Sequence, residues 1–238
     1  MRKQNLFVYD GKSSMEFGIA LNGTGVYDAP KRDYDSISIP GRNGNIHLDN
    51  GRFDNITLAY NANIVRRFGE NIDSFRAFAL SRKGYCRLED TYHPDEFRMA
   101  IYAGPFQVEP GFLNRWGEFD IVFDCKPQRF LKSGEMPVEI PAGSTVKIMN
   151  PTYYDARPMI RCEGTGDFIF GNDTITVNTI TNYVDIDCDT QDAFEGTINR
   201  NPDIEVVLGH WPVFEPGETG ITNNTNGLIT IIPRWWTI

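Results

Sequence analysis

The chain has 238 residues, of which 40% are hydrophobic, 13% aromatic and 23% charged. This composition is typical of a globular protein with a buried core and excludes a chain that is disordered as a whole. The formal net charge of −9 argues against duplex binding, because phosphate contacts need clustered Lys and Arg.

The acidic excess is confined to one part of the chain. Residues 1–130 hold 17 basic and 17 acidic side chains, whereas residues 131–238 hold 6 basic and 15 acidic ones, a net charge of −9. This shift predicts two domains with different surfaces, 1–131 and 132–238. No export signal is visible, and no apolar run approaches the roughly 20 residues of a membrane-spanning helix. We therefore expect a protein that folds in a cytoplasm and inserts into no membrane.

Short apolar and β-branched runs between turn-forming residues predict the strands of the first domain. These strands are expected at residues 6–9, 37–39, 56–60, 85–88, 97–102, 106–108 and 119–123. Between the second and third, residues 40–44 read Pro-Gly-Arg-Asn-Gly, which predicts a hairpin or loop because Asn-Gly readily adopts positive φ.

One segment of the first domain has helical periodicity. Its apolar residues recur three and four positions apart, at Ile72, Phe75, Phe78 and Ala79. This spacing predicts a helix over residues 71–82, with Asn71 capping its start and Gly84 its end. We expect it to be the only substantial helix and to lay its phenylalanines on a sheet.

The second domain is predicted to be a β-sandwich without a helix. A Gly- and Pro-rich linker over residues 132–143 leads into it, and strands are expected at residues 145–149, 158–162, 167–170, 174–178, 183–188 and 228–232. The fold class is therefore mainly β, with two β-sandwich-type domains and a single helix in the first. The apolar C-terminal end is expected to pack on other residues, with the N-terminal domain as one candidate surface.

The cysteines stand singly along the sequence, at Cys86, Cys125, Cys162 and Cys188. They lack the paired short spacing of a zinc site. Buried free thiols are the favoured interpretation, and one disulfide within each half stays open as an alternative.

No catalytic constellation is apparent in the sequence. The three histidines, His47, His93 and His210, lie far apart, so each is predicted to be a surface or turn residue. A Gly-rich phosphate loop and a nucleophile elbow are both missing. We therefore expect no catalytic residues, no cofactor and no enzyme activity.

Three aspartates alternate along one predicted strand. Asp185, Asp187 and Asp189 would share a strand face, which makes them the candidates for a structural cation. An EF-hand loop would need Gly and Glu where Thr190 and Gly196 stand. The favoured interpretation is a solvated strand face, and a hydrolase using Asp187 and Asp189 is a further hypothesis, although nothing distinguishes an acid from a base.

Several aromatic residues of the second domain are candidates for stacking on sugar rings. They are Tyr153, Tyr154, Tyr183, Trp211, Trp235 and Trp236. In β-sandwiches such residues also fill cores and interfaces, and the strand pattern does not distinguish these roles. A carbohydrate-binding module that contacts the host cell surface therefore remains the alternative function.

Eight segments resemble, in order, the successive blocks of the siphophage distal tail (Dit) protein family. In the first domain they read FVYDGKSSMEFGIAL, RDYDSISIPGRNGNI, YCRLEDTYHPDEFRMAIY and FDIVFDCKPQRF. In the second domain they read NPTYYDARPMIRCEGTGDFIF, YVDIDCDTQDAF, WPVFEPGE and ITIIPRWW. The positions that match family motifs are Pro40, Gly41, Arg42, Gly44, Asp90, Pro94, Asn150, Pro151, Pro158, Gly164, Gly166, Pro233, Arg234 and Trp235.

The resemblance implies a structural protein of the virion tail tip. The family's N-terminal domain forms a hexameric ring, single or back to back, although the isolated protein can be a monomer. The ring joins the major tail tube protein to the tail-associated lysin or tail fibre hub, anchors receptor-binding proteins and lets DNA pass. The family's C-terminal domain is a galectin-like, carbohydrate-module-like sandwich. Because this chain lacks a long insertion there, we expect no added carbohydrate module, and we expect no specific nucleic-acid binding.

The charge division suggests which domain forms the ring. Net charge makes a subunit repel its own copies, so the neutral first domain is better suited to self-association than the acidic second one. We therefore predict that the ring contacts lie in residues 1–130.

Overall fold

A computed structural model describes residues 4–23, 27–64, 67–102, 104, 109–110, 116–206 and 210–238. The chain divides into two compact units. Unit 1 comprises residues 1–129 together with Ile238, and unit 2 comprises residues 130–237. The described residues include no helix that is long and apolar enough to span a membrane.

Most of the strands of unit 1 form one antiparallel sheet. The strands of unit 1 are β1 (Phe7–Tyr9), β2 (Lys12–Ser13), β3 (Ile19–Leu21), β4 (Arg32–Ser38), β5 (Asn45–Phe53), β6 (Ile56–Ile64), β7 (Cys86–Asp90), β8 (Glu96–Ile101), β9 (Glu109–Pro110) and β10 (Gly117–Cys125). The sheet has the order β2-β1-β7-β8-β10-β6-β3, with β9 beside β10, while β4 and β5 pair only with each other. The strand predicted at 106–108 lies outside the described residues.

Helix α1 (Phe68–Ser81) begins three residues before its predicted start. Asn71 does not cap it, because the Asn71 N–H already donates an intrahelical hydrogen bond to the Arg67 carbonyl oxygen. Phe68 packs against the core and extends the apolar stripe by one turn. A cap preference at Asn71 therefore misled the prediction, whereas the phenylalanine spacing located the helix correctly.

The core of unit 1 is aromatic and lies between α1 and the sheet. Phe75 is fully buried, and its ring contacts the rings of Phe7, Phe17 and Tyr102 at centroid distances of 5.6 to 6.1 Å. Strands β6 and β10 pair in continuous register over nine residues. They alternate buried and exposed side chains, so that every second residue faces this core.

Unit 2 is a sandwich of two antiparallel sheets. After β11 (Arg129–Leu131), which leads into it, its strands are β12 (Val138–Ile140), β13 (Thr145–Asn150), β14 (Met159–Cys162), β15 (Gly166–Phe170), β16 (Asp173–Val177), β17 (Val184–Asp187), β18 (Asp192–Glu195), β19 (Ile198–Asn199), β20 (Ile204–Val206), β21 (Gly217–Asn223), β22 (Ile229–Ile232) and β23 (Trp236–Thr237). The sheets have the orders β12-β22-β14-β17-β18-β19 and β13-β21-β15-β16-β20. One buried cluster fills the space between them. The mainly β fold class is thus confirmed.

The predicted linker is part of the folded structure of unit 2. Residues Lys132–Glu135 form a 3₁₀ turn, and β12 follows. Gly134 is buried, and its carbonyl oxygen accepts a hydrogen bond from the Arg234 N–H. A side chain at Gly134 would overlap the Trp235 backbone, which explains why glycine stands there. The C-terminal segment therefore packs on the first residues of its own unit, and packing on the N-terminal domain stays a prediction.

All four cysteines are free thiols, as the favoured interpretation predicted. Three are buried, and Cys86 is partly exposed. Burial raises the pKa of Cys125 and of Cys188 to about 12, so both thiols stay protonated and unreactive at neutral pH.

Candidate functional site

The hairpin β4–β5 is a long and largely exposed element of unit 1. Its strands pair in register from Tyr34↔Asp49 to Ser38↔Asn45. The residues 40–44 between them form the predicted turn, in which Gly41 and Gly44 both have a φ of 80°. None of the sixteen residues in these two strands is buried. Both faces of this hairpin are therefore accessible.

One face of the hairpin, here called its apolar face, carries three aliphatic side chains together with Asp35, which lies opposite Leu48. Ile37 lies directly opposite Ile46, and Leu48 lies two positions along β5 on the same face. These side chains are 46%, 38% and 51% exposed. On the other face the rings of Tyr34 and His47 meet edge to face at 4.8 Å. A two-stranded hairpin with both faces in water is only marginally stable, so this apolar face is suited to being covered by another surface.

The charges at the base of the hairpin neutralise one another. Arg32 Nε donates to an Asp49 carboxylate oxygen at 2.6 Å, and Arg52 Nε donates to Asp33 at 2.6 Å. The pKa of both aspartates is lowered, mainly by the hydrogen bonds from these arginines. Residues 31–54 hold four basic and four acidic side chains. The hairpin is thus electrically neutral, and its copies would not repel one another.

The candidate cation residues are held by arginines. Arg161 makes two hydrogen bonds to the Asp185 carboxylate, at 2.7 and 2.8 Å. Arg234 makes two to Asp187, at 2.7 and 3.1 Å. Asp185 is 8% exposed, which corrects the expectation of a solvated face. The positive charge that neutralises these carboxylates comes from Arg161 and Arg234, and no group of three metal-ligating side chains occurs among the residues with described positions.

Asp90 organises the turn that follows β7. Its carboxylate accepts the Tyr60 hydroxyl at 2.6 Å and the backbone N–H groups of Tyr92 and His93 at 2.9 and 2.8 Å. Burial raises the pKa of Tyr60 well above its usual value, so this phenol remains a donor. His93 lies in the turn as predicted, but its side chain is only 18% exposed and faces Asp90 at 3.3 Å. Pro94 occupies the same turn, which gives two of the motif positions a structural role.

Asn150 and Asn223 hold two loops of unit 2 in the same way. The buried Asn150 side chain donates to the carbonyl oxygens of Tyr154 and Phe214 and accepts from the Thr152 N–H and hydroxyl. Asn223 repeats this pattern with Ile140, Gly227 and Thr225. These two residues end the paired strands β13 and β21. The sequence did not reveal Asn223, because its partners are defined only once the strands pair.

The remaining motif positions of unit 2 are also places of close packing. A side chain at Gly164 would overlap the Gly227 backbone, and Gly166 has a φ of 117° that favours glycine. The Pro158 carbonyl oxygen accepts the Cys188 N–H at 3.1 Å. Pro151 directly follows Asn150, and Pro233 directly follows the last residue of β22. None of these contacts requires a ligand.

The aromatic candidates have separate locations. Trp235 is buried against Phe214, and Tyr183 lies under the Arg161 guanidinium. Tyr154 stacks on Trp236 at 4.5 Å, next to Tyr153, which is 90% exposed. The remaining candidate, Trp211, is partly buried against the core.

An open cleft of about 490 Å³ lies elsewhere in unit 2. Its lining includes the carboxylates of Asp173, Glu215 and Glu218. The aromatic residue in that lining, Phe170, is only 2% exposed. The cleft therefore lacks an exposed ring on which a sugar could stack.

Comparison with known proteins gave matches only among solved structures. No family model and no curated protein matches the chain. The Dit protein of phage SPP1, described as a paradigm of the hub adsorption apparatus in phages that infect Gram-positive bacteria, matches with a TM-score of 0.74 and 12% identity, over 99% of this chain and 100% of that one.

The phage P2 baseplate in its activated conformation also matches. The structure with calcium gives a TM-score of 0.52 and 12% identity over 98% of both chains. The structure with strontium gives 0.50 and 13% identity over 96% of this chain and 97% of that one. The chain therefore has a Dit-like fold over nearly its whole length, as the sequence resemblance implied.

Proposed function

We propose that the chain is a structural, non-enzymatic subunit of a phage tail hub or baseplate. The observation that carries the proposal is the match to the SPP1 Dit fold across both units, over 99% of this chain and 100% of that one. In this role six copies form a ring that joins the tail tube to the tail-tip lysin or fibre and lets DNA pass. The tube protein, the lysin or fibre hub and a receptor-binding protein are its partners at the virion tail tip.

The hairpin β4–β5 supplies a ring contact in this proposal. The aliphatic side chains of its apolar face, Ile37, Ile46 and Leu48, are exposed, and the hairpin as a whole is neutral. The hairpin gains stability when a neighbouring copy covers that face. The second copy is the favoured occupant because residues 1–130 have no net charge, whereas residues 131–238 carry −9. The acidic unit is better suited to a solvated periphery.

Electron microscopy of the purified protein with its hub partner tests the ring. A six-fold ring with an open channel is the expected result, and a hub complex with another symmetry contradicts the proposal. The variant Ile37→Ser/Ile46→Ser should weaken ring formation without lowering the melting temperature, since neither side chain is buried. Ile169→Ser, an exposed isoleucine of unit 2, is the matched control and should assemble normally.

Passage of DNA requires that the ring does not bind it tightly. The overall acidity of the protein and the neutrality of residues 1–130 favour weak binding. We expect no salt-sensitive affinity for duplex DNA. Tight binding at low salt that collapses as salt is added would count against a passive channel.

A carbohydrate-binding module at the host surface is the second candidate function. The observation that favours it is the exposed Tyr153 beside the Tyr154–Trp236 stack, since aromatic faces of this kind can stack on sugars. A glycan array distinguishes the two candidates. Binding that is lost in Tyr153→Ala but kept in Met149→Ala, another exposed residue of unit 2, would support the module.

A further inference from the structure

Four asparagines of the protein precede a glycine, namely Asn22, Asn43, Asn50 and Asn226. In such a pair the glycine nitrogen can attack the amide carbon of the asparagine side group, because glycine has no Cβ to hinder the approach. The attack requires that the asparagine amide is able to turn and that the glycine N–H is not held. These two requirements distinguish the four sites.

Asn226 fails both requirements. Its Oδ1 accepts the Thr165 N–H at 2.8 Å, and its Nδ2 donates to the Thr165 hydroxyl at 3.2 Å. The N–H of Gly227 donates to the Thr225 hydroxyl at 3.3 Å. Both reacting groups are therefore held in place.

Asn22 and Asn50 are also held. The Asn22 side chain donates to Asn61 at 3.0 Å and accepts from Asn63 at 2.7 Å. Asn50 lies within β5, and its Nδ2 donates to Asp33 at 3.3 Å. The N–H of the following Gly51 donates to Asp49 at 2.9 Å. Each site would have to break hydrogen bonds before it could react.

Asn43 meets both requirements. It lies in the exposed turn of the hairpin, between the ends of β4 and β5. Within the described part of the protein, neither its side chain nor the Gly44 N–H makes a hydrogen bond. Gly44 has a φ of 80° and open space where a Cβ would stand, as do Gly23 and Gly51, so the absence of these hydrogen bonds is what distinguishes Asn43 from the other sites.

We propose that Asn43 is a site of spontaneous deamidation. The Gly44 nitrogen forms a bond to Cγ of Asn43, the bond between Cγ and Nδ2 breaks, and ammonia leaves with the proton that the Gly44 nitrogen gives up. Water then opens the five-membered succinimide ring at either carbonyl, which yields aspartate or isoaspartate. Each conversion places a new carboxylate beside Arg42 at the tip of a hairpin that is neutral beforehand.

The modification has a consequence for assembly that rests on the proposed ring contact. Conversion makes the hairpin net negative, and isoaspartate lengthens the backbone at the turn. Both changes should weaken contacts between hairpins of neighbouring copies. The chemical site itself does not depend on the ring, so its test uses the unassembled full-length protein.

Peptide mass spectrometry during incubation in mildly alkaline buffer tests the site. The conversion of amide to acid is followed at all four asparagines, in the folded protein and in denaturant. In denaturant the four rates should be similar, because sequence alone then decides them. In the folded protein Asn43 should keep that rate while the other three slow several-fold. Protection of Asn43 as strong as that of Asn226 would overturn the proposal.

A variant checks that the signal comes from this residue. Asn43→Gln keeps the amide, the turn and Gly44, but its longer side group would have to form a six-membered ring, which forms more slowly. The peptide that contains residue 43 should then show a several-fold lower rate of mass change. Undiminished conversion in this variant would mean that another residue of that peptide reacts.

Discussion

Gly134 is a position in unit 2 where an added methyl group has no room. A Cβ there would overlap the backbone nitrogen and come close to the side chain of Trp235, whose segment is fixed by the hydrogen bond from the Arg234 N–H. We expect Gly134→Ala to lower the free energy of unfolding by about 1–3 kcal/mol, because overpacking forces the backbone to shift. Urea unfolding measures this change.

Gly69 provides the matched control. It lies on the exposed side of α1, with open space where a Cβ would be placed. Gly69→Ala should therefore stabilise the protein by about 0.5–1 kcal/mol through higher helix propensity. If both variants lost similar stability, steric overlap at Gly134 would not be the cause.

Asp187 links the stability of unit 2 to pH. Partial burial alone would raise the pKa of Asp187, but the hydrogen bonds from Arg234 and from the N–H of Asp189 outweigh it and lower the pKa. A carboxyl group with a depressed pKa stabilises the folded state above its unfolded pKa, about 3.9, and this contribution is lost as pH falls through the folded value.

We therefore expect the free energy of unfolding to fall on acidification below about pH 4. Asp187→Asn should be less stable at neutral pH and should lose part of this acid slope. Asp189→Asn, which changes an exposed carboxylate two residues away, is the control and should keep the slope. Urea unfolding over a series of pH values gives both quantities, and equal slopes in wild type and Asp187→Asn would contradict the assignment.

The partners of these aspartates could not be predicted from the sequence. Asp185 and Asp187 were found because they alternate along a strand, but Arg161 lies 24 residues from Asp185 and Arg234 lies 47 residues from Asp187. Pairing of β14 with β17 brings Arg161 opposite Asp185. The spacing along the sequence therefore located the carboxylates, whereas the strand register determined that Asp185 pairs with an arginine.

At the scale of elements, α1 shows which of its residues the fold depends on. Phe75 is fully buried among three aromatic rings, whereas Leu80 on the same helix is 54% exposed. We expect Phe75→Ala to cost about 3–5 kcal/mol, and Leu80→Ala to change stability by less than about 0.5 kcal/mol. Thermal and urea unfolding of the two variants measure the difference. Similar losses would mean that helix propensity, and not burial, holds α1.

The sequence predicted elements where apolar residues alternate or recur regularly. Strands β6 and β10 were located for this reason, although each extends beyond its predicted range. Strand β21 was missed, because Gly217, Gly220 and its polar residues give it a weak strand propensity. In the structure it pairs with both β13 and β15. Its place in the sheet comes from tertiary pairing, which overrides local propensity.

The hairpin β4–β5 illustrates the same limit at the candidate site. Its turn was predicted from the Asn-Gly pair, but β5 was not, since residues 45–53 contain Asn, Asp and Gly and show weak strand propensity. Such a sequence forms a strand through pairing with β4. The exposure of Ile37 and Ile46, which carries the proposed ring contact, follows only from the three-dimensional structure.

At the scale of the whole molecule, the protein builds two hydrophobic cores from separate residues. The core of unit 1 draws on residues 7–125 and that of unit 2 on residues 140–235, with no residue in common. The side chains that fill each core all come from strands, helices or loops of the same unit. A cavity in one core should therefore destabilise that unit selectively.

Phe168 tests this independence. It is fully buried in unit 2, and Phe168→Ala should cost about 3–5 kcal/mol through lost burial and the cavity left behind. Hydrogen exchange should lose protection across the strands of unit 2 while β6, β10 and α1 keep theirs. Ile169→Ala, which truncates the neighbouring side chain that faces outward, should leave both units protected. Equal loss of protection in both units on Phe168→Ala would show that the two cores unfold as one cooperative structure.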